Sequence, residues 1–438
     1  MTKGDSYMAT MKCTAAGDSM VFRRFPGEYG GFPELKDFIM RGDFRFFNLE
    51  TTVHDFEVPG AALSGGSWFC AEPAVLHDMH NYGFNVTTAA NNHSLDYGPD
   101  GLKKTIEYMK KEDFVFAGTG LTMGQAAAPA YLDTLQGRYA FIACTTSFTN
   151  DCMAGEQTRL APGRPGVNGV RHDQVLRVSP EEIEVIRNIA AKTGANAAAD
   201  ISRREGYRAP VPEGKAELSG LLFEASDTPA TVTKVNKKDL ARLVTAIEEA
   251  RFFADYVVIS VHSHQIGGMT KEEPAQFYEE LCHACIDAGA DAIIGTGPHL
   301  LRPIEIYKGK PIFYCLGDFI LENETMKTVP AGMFEKQGMT GNEKMADMYE
   351  KRSDHGKKGL YYSKVMFEAV VPYWEVTDGK LTKIELMPVE LGYGSPRSTG
   401  GLPRPCYDKG IMERLVEMSK AYGTEIEIND QGIGVVKL

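Results

Sequence analysis

Carboxylate, amide and imidazole side chains follow short apolar runs at several points along the sequence. Those that we predict to share one centre are Asp18, Glu50, Asn92, His93, His262 and His299. A pair of divalent cations needs oxygen and imidazole ligands from several chain segments, with one carboxylate bridging the two ions. All but His93 fit that ligand set, and His93 could act as a general acid for a leaving group. The residue types therefore predict a metal-dependent reaction centre.

These side chains follow runs that are rich in β-branched and aromatic residues. We predict buried strands over 10–16, 44–47, 84–90, 256–261, 292–294 and 312–316. Helical patterns over 34–40, 74–81, 101–110, 238–253 and 276–288 separate most of these strands. Strands that alternate with helices indicate an α/β fold with a mainly parallel, layered sheet. Because the loops at the carboxyl ends of such strands converge, we expect the six side chains to meet there.

Outside this alternation, the sequence predicts how the chain is organised. We interpret residues 1–438 as a single domain, in which 148–237 form an insertion that could cap the centre. Residues 323–358 are irregular and rich in Met, Lys and Gly, and we predict that they form a flap. Residues 360–438 are predicted to add antiparallel strands and a helix that complete a second sheet.

The overall composition disfavours several kinds of partner. The chain of 438 residues carries a formal net charge of -12, which argues against a surface for nucleic acid or anionic lipid. No stretch approaches the roughly 18 to 20 apolar residues that cross a bilayer, and the first residues lack the apolar run of a signal peptide. The eight cysteines are scattered, and several lie in apolar runs where reduced thiols pack well. We therefore expect a cytoplasmic protein without a membrane anchor.

Six motifs, in this order, resemble those of the CapA-type poly-γ-glutamate capsule synthesis family. They are Gly17-Asp18-Ser19-Met20, Asn48-Leu49-Glu50-Thr51, Ala90-Asn91-Asn92-His93-Ser94-Leu95-Asp96-Tyr97-Gly98, Val261-His262, Pro298-His299 and Leu316-Gly317-Asp318-Phe319. That family looks like a branch of the calcineurin-like metallophosphoesterases, so the resemblance implies a four-layer α/β/β/α sandwich. It also implies that Asp18 is the first aspartate of a metal site and Glu50 its bridging carboxylate. Asn92 and His93 would match the Asn-His pair, and His262 and His299 the later ligands.

Two positions depart from the metallophosphoesterase pattern. Met20 and Gly297 stand where that fold carries histidines, and neither offers a good ligand to a hard divalent ion. His264, which lies two residues beyond His262 and thus on the same side of a strand, could replace one of them. Asp318 stands where family members usually have Asn and could add a carboxylate. The metals that we expect are Mn, Fe or Zn.

The missing ligands leave a metal-independent reaction open. Asp18 and His299 could act as a base and an acid on opposite faces of a substrate, as in a peptide epimerase. Some CapA-like proteins of lasso-peptide pathways resemble this case and invert an amino-acid α-carbon.

The leading interpretation is an enzyme that hydrolyses or transfers a peptide, γ-glutamyl or phosphoester bond. Loop arginines could bind a carboxylate of such a substrate. The candidate substrate-binding residues are Asn48, Arg164, Arg171, Arg302 and Asp318. An interpretation from another class is a non-catalytic component of capsule polymer synthesis or export.

Overall fold

Strand β1, residues Thr10–Met20, shows how the chain separates two apolar layers. In the computed structural model, which describes residues 10–25, 27 and 29–438, Cys13 and Ala15 face one apolar cluster. Ala16 and Met20 face another on the opposite side of the strand. Successive side chains of a strand point to opposite faces, so a continuous apolar run is buried on both sides.

The part of the chain before α6 contributes eleven strands and five helices. The strands are β1, β2 (Phe44–Leu49), β3 (Thr52–Val53), β4 (Cys70–Ala71), β5 (Val86–Thr88), β6 (Val115–Ala117), β7 (Thr119–Gly120), β8 (Ala130–Thr134), β9 (Gly137–Thr145), β10 (Gly166–Val167) and β11 (His172–Val178). The helices are α1 (Phe32–Ile39), α2 (Ala74–Asn81), α3 (Gly98–Lys111), α4 (Met123–Ala127) and α5 (Pro180–Thr193).

The remainder of the chain adds thirteen strands and six helices. The strands are β12 (Lys215–Leu218), β13 (Leu221–Ala225), β14 (Ala230–Val235), β15 (Tyr256–His262), β16 (Ala292–Thr296), β17 (Ile304–Tyr307), β18 (Lys310–Phe313), β19 (Asp318–Leu321), β20 (Glu368–Thr377), β21 (Lys380–Glu390), β22 (Arg404–Pro405), β23 (Ile426–Ile428) and β24 (Gly434–Val436). The helices are α6 (Ala197–Arg204), α7 (Lys237–Phe253), α8 (Gln276–Asp287), α9 (Ala331–Lys336), α10 (Met345–Arg352) and α11 (Lys409–Lys420).

Two large sheets hold the centre. The first has the order β23-β24-β21-β20-β1-β2-β5-β6, with β19 also paired to β1 and β22 to β21. The second has the order β17-β18-β16-β15-β9-β8. The strands β1, β2, β5 and β6 are parallel, as are β9, β15, β16 and β18, and antiparallel strands lie beside each set. The predicted mixed α/β class is confirmed.

Three apolar clusters show which sheets and helices pack against one another. One lies between the two sheets and joins Phe46 of the first to Phe141 and Val258 of the second. A second cluster packs helices on the outer face of the first sheet; it contains Leu35, Leu76, Leu102 and Phe47. A third packs Ile247 of α7 and Leu281 of α8 against the outer face of the second sheet. Each sheet is therefore covered on both faces.

Gly17 allows β1 to change partners halfway along its length. Its N-terminal half pairs with β20, whereas Asp18 to Met20 pair with β19. A Cβ at position 17 would lie 1.7 Å from the carbonyl oxygen of Gly317, so a side chain larger than hydrogen is excluded. The close approach brings Asp18 beside Asp318 in the register of the two strands.

The segments predicted to lie outside the main alternation have structure of their own. Residues 148–237 include a small sheet of order β12-β13-β11-β14, which packs beside α8 through the stacked rings of His172 and Phe277. Residues 323–358 contain α9 and α10, and Phe334 and Met348 are buried against the first sheet's helices. The roles of cap and flap stay predictions.

The strands after residue 360 are antiparallel to their neighbours, and β20 pairs directly with β1. They therefore extend the sheet that contains β1. Among the described residues, none of the helices combines the length and the apolar character that passage through a bilayer requires.

Candidate metal and reaction centre

Side chains that follow strands of the two large sheets lie close together. Asp18 and Glu50 come from the first sheet, whereas His262 and His299 lie at the ends of β15 and β16 in the second. Asp18 Oδ1 lies 3.4 Å from His262 Nδ1, and Glu50 Oε1 lies 3.8 Å from His262 Nε2. Glu50 Oε2 lies 3.8 Å from His299 Nδ1. The centre therefore bridges the carboxyl-end edges of both sheets.

Asp18 is fully buried and both of its carboxylate oxygens accept hydrogen bonds. Asn48 Nδ2 donates to Oδ1 at 2.6 Å, and the Gly297 N–H donates to Oδ2 at 2.7 Å. Burial by itself would raise the pKa of Asp18, but His262, His299 and Asn48 together hold it below its usual value. The two hydrogen bonds fix the orientation of the carboxylate.

Glu50 lies at the middle of the centre without a hydrogen-bond partner. Its side chain is fully buried, and within the described chain neither of its oxygens accepts a hydrogen bond. Burial, followed by the charges of Asp18, Asp318 and Asp96, raises its pKa well above the usual value. A buried carboxylate of this kind needs a proton or a cation as its partner. The orphaned oxygens fit the expected divalent cation.

Three polar groups surround the end of β15. His262 Nε2 lies 2.8 Å from Asn92 Oδ1 and 3.1 Å from His264 Nε2, and His264 Nε2 lies 3.2 Å from Asn92 Oδ1. Burial lowers the pKa of His262 and also lowers that of His264. Neutral imidazoles carry the free lone pair that a metal ligand needs. His264 lies beyond the end of β15, not on the strand as the sequence expectation has it, but its ring is close to His262 and Asn92.

His299 and Asp318 form a buried pair at 3.0 Å between Nδ1 and Oδ1. Burial would lower the pKa of His299, but Asp318 outweighs it and the net shift is upward. Burial also raises the pKa of Asp318 to about 6, despite the opposing effect of His299. His299 has a left-handed backbone with φ of 62°, which is uncommon outside glycine and is maintained only where the surrounding structure enforces it.

His93 is held by an aspartate and an aromatic ring. Its Nδ1 lies 2.6 Å from Asp96 Oδ2, and its ring stacks on Phe69 with centroids 3.5 Å apart. The N–H groups of Gly65 and Phe69 each donate to Asp96 at 2.8 Å. With Nδ1–H donating to Asp96, Nε2 is the nitrogen left for proton transfer. The sequence did not single out Asp96 and Phe69, although an Asp three residues after His93 in one turn was a usable signal.

The two departures from the expected ligand pattern have clear structural causes. Met20 is 1% exposed and packs in an apolar cluster. Gly297 has φ of 125°, and a Cβ there would lie 2.8 Å from the Ser263 backbone, so no histidine fits. Groups of ligand atoms within 4.8 Å of one another are instead formed by Glu50, His264 and His299, and by Asp18, His299 and Asp318. Each of these two groups could hold a metal ion.

The remaining substrate-binding candidates lie in varied surroundings. Asn48 donates to Asp18 and also accepts from Asn91. Arg164 is exposed and donates to the Met153 carbonyl at 2.7 Å. Arg171 forms a two-pronged ion pair with the buried Asp239, at 2.7 and 3.0 Å. The Nε and Nη2 donors of Arg171 are therefore engaged with Asp239.

Asp239 is a site where the pH dependence of folding can be checked. Burial would raise its pKa, but hydrogen bonds from Arg171 and Arg242 outweigh burial and lower it. A lowered folded-state pKa means that the stabilisation is complete above the unfolded value, about 4, and is lost as pH falls through the folded value. We expect Asp239→Asn to lower the free energy of unfolding by about 2 kcal/mol at pH 7. Urea unfolding at pH 7, 5 and 3 should show this difference shrinking only below about pH 4; a constant difference would contradict the assignment.

A cleft of about 340 Å³ leads to Asn92 and His264. It is lined by Ser64, Gly65, Asn92, Ser147, Phe148, Thr149, Cys152, His264 and Gln265. These groups are hydroxyls, amides, a thiol, an imidazole and one aromatic ring. The cleft gives the centre an approach from solvent.

Comparison with known proteins shows the family to which the chain belongs. Residues 12–323 match the family model of the bacterial capsule synthesis protein PGA_cap. The chain is 32% identical to the Sinorhizobium fredii protein named "Uncharacterized protein y4sH", over 97% of this chain and 92% of that one. It is 26% identical to the PGA biosynthesis protein CapA of Bacillus subtilis, over 70% of this chain and 63% of that one. It is 24% identical to the capsule biosynthesis protein CapA of Bacillus anthracis, over 60% of this chain and 47% of that one.

The fold is of the mixed α/β class, and the family match covers most of it. The chain belongs to the PGA_cap family, the CapA-type capsule synthesis proteins.

Proposed function

We propose that this protein is an enzyme that hydrolyses or transfers a γ-glutamyl or related peptide bond with the help of a divalent cation. The observation that carries the proposal is Glu50, whose two buried oxygens accept no hydrogen bond from the described residues and lie 3.8 Å from the imidazoles of His262 and His299. The printed names of the Bacillus relatives refer to PGA and capsule biosynthesis, which supports a γ-glutamyl substrate over a phosphoester.

The cation would be held by the buried cluster described above. Its ligands would be Asp18, Glu50, Asn92, His262, His264, His299 and Asp318. When bound, a divalent cation of this kind polarises an acyl oxygen and lowers the pKa of water. Mn, Fe and Zn all accept mixed carboxylate and imidazole ligands.

The chain's own residues supply orientation and a proton. Asn48 and the Gly297 N–H keep Asp18 in one orientation, while Asp96 orients His93. In hydrolysis, a water oxygen bonds to the acyl carbon, the C–N bond breaks with its electron pair on nitrogen, and the amine takes a proton. His93 would deliver that proton from Nε2 and would regain one from the water.

We also propose that the fold is a four-layer α/β/β/α sandwich of the metallophosphoesterase type. The support is the order of the apolar clusters: helices, first sheet, second sheet, helices. The expected position of the active centre, above the strand ends of both sheets, follows from that architecture.

The test combines metal analysis with turnover. We expect purified protein to hold at least one equivalent of Mn, Fe or Zn and to cleave a synthetic γ-glutamyl oligomer, and chelation should abolish turnover. His262→Ala should lower turnover at least 100-fold, because it removes a ligand. The matched control is His283→Ala. His283 lies on α8 and pairs with Glu305 of β17, so this change should leave turnover unchanged.

Two results would contradict the proposal. Turnover that survives chelation in protein with less than one metal equivalent would exclude the cation. Solvent deuterium at a substrate α-carbon without bond cleavage would favour the metal-independent epimerase with His299 as its acid, whose pKa is raised chiefly by Asp318 against the effect of burial.

A further inference from the structure

A fully buried arginine lies beside the centre. Arg302, three residues after His299, has no exposed surface. Its Nε donates to the Lys271 carbonyl at 2.8 Å, its Nη1 to the Ser263 carbonyl at 3.2 Å, and its Nη2 to the Gln265 carbonyl at 2.8 Å. A buried cation is costly unless its donors are satisfied, and here the acceptors are backbone carbonyls. The guanidinium therefore fixes backbone rather than neutralising a carboxylate.

The carbonyls that it holds belong to residues on either side of His264. Ser263 and Gln265 flank His264, which lies beyond the last residue of β15 and so has no strand ladder to position it. This backbone is also held by the Ser263 N–H, which donates to the Thr296 carbonyl at 2.9 Å, and by the His264 N–H, which donates to Ser147 Oγ at 2.8 Å. Two donors of one planar fork add hydrogen bonds to the carbonyls on either side of this imidazole.

Arg302 is itself anchored to the segment between β18 and β19, which leads to Asp318. Its N–H donates to the Cys315 carbonyl at 3.1 Å, and Leu301 and Leu316 form an isolated bridge. One residue therefore connects the chain around His264, the turn that carries His299 and the segment before Asp318. These are three of the segments from which the proposed ligands come.

We infer that Arg302 is a positioning residue that holds His264 in its orientation for binding a divalent cation. The inference rests on the proposed function for its ligand, a divalent cation. It replaces the expectation that Arg302 binds a substrate carboxylate, because the three donors named above are already engaged.

Titration with Co²⁺, followed by its visible absorption, tests this inference in the full chain. Arg302→Lys keeps the charge but cannot reproduce the fork. We expect Co²⁺ affinity to fall roughly 10- to 100-fold and the absorption band to change, as when a partner that orients a ligand is lost. In a double-mutant cycle, Arg302→Lys should add less than about 2-fold to the effect of His264→Ala, because both act through one imidazole.

Arg45→Lys is the matched control. Arg45 also donates to backbone carbonyls, those of Gly83, Gly42 and Asp43, but at the opposite end of the first sheet. It should lower the melting temperature while leaving Co²⁺ affinity and absorption unchanged. Unchanged affinity in folded Arg302→Lys, or a loss fully additive with His264→Ala, would overturn the inference.

A second variant and a hydrogen-exchange measurement cover two further outcomes: a variant that does not fold, and an unaltered protein that binds no Co²⁺. If Arg302→Lys does not fold, Arg302→Gln replaces it, because a neutral amide is less costly to bury and keeps one donor; failure of both would make Arg302 a folding residue and overturn the inference. If the unaltered protein binds no Co²⁺, the metal proposal fails separately. Amide hydrogen exchange at residues 263–271 then decides: at least 10-fold faster exchange in Arg302→Lys, but not in Arg45→Lys, supports positioning of this segment, and unchanged exchange overturns it.

Discussion

Glu50→Gln is expected to weaken divalent-cation binding at least 100-fold without destabilising the metal-free protein. The carboxylate is buried among Asp18, Asp318 and Asp96, and in the described chain its oxygens have no hydrogen-bond donor. Removing its charge removes the proposed bridging ligand. The same change removes a buried carboxylate that metal-free protein must either protonate or leave unpaired. Weaker cation binding without a loss of folding stability is the result expected if Glu50 serves to bind a cation.

The measurement is isothermal titration with Mn²⁺ or Zn²⁺, combined with thermal unfolding in the presence of a chelator. Glu322→Gln is the matched control, because Glu322 is equally buried but accepts from the Phe22 N–H at 3.0 Å and from Arg23 Nε at 2.7 Å. It should lower the melting temperature and leave cation affinity unchanged. A Glu50→Gln protein that melts much lower, or that binds the cation as tightly as before, would contradict the assignment of Glu50.

Gly297→Ala is expected to destabilise the protein by about 3 kcal/mol or more. The φ of 125° at this position is outside the region that residues with a Cβ normally adopt, and the added atom would lie 2.8 Å from the Ser263 backbone. The change should also lower cation affinity, because the Gly297 N–H holds Asp18 Oδ2. For the same reason, Gly297→His should not restore the ligand that metallophosphoesterases carry there.

Gly309→Ala separates the cost of the left-handed backbone from the cost of the steric contact with Ser263. Gly309 has φ of 76°, but no atom lies within 4 Å of a Cβ placed there. This variant should lose only about 1 kcal/mol, the cost of the left-handed backbone by itself. Urea unfolding of both variants gives the comparison. Equal losses of unfolding free energy at the two positions would show that contact with Ser263 does not destabilise the protein. A Gly297→His protein as stable as the unaltered chain would contradict the steric explanation.

Much of the centre was predictable because its members lie at strand ends. The run of apolar residues before Asp18, Glu50 and His262 predicts buried strands, and parallel strands place their carboxyl ends together. The spacing of two residues from His262 also singled out His264, although β15 ends at His262 and His264 lies beyond it. These inferences use only local pattern and one general property of α/β sheets.

The partners of the arginines were not predictable in this way. Arg171 pairs with Asp239, 68 positions away, and the guanidinium of Arg302 donates to carbonyls at least 31 positions away. Nothing in the local sequence distinguishes a loop arginine that meets a substrate from one that holds backbone. The choice depends on which segments the fold brings within about 3 Å of the guanidinium.

By itself, the amino-acid sequence determined the mixed α/β class, the family and the set of residues that meet above the strand ends. Only the tertiary structure decided that Glu50 lacks a partner, that Met20 is a core residue and that Gly297 serves through its N–H. The reason is physical: periodicity and motif order are properties of neighbouring residues, whereas burial and hydrogen bonding are settled by segments that two packed sheets bring together from distant parts of the chain.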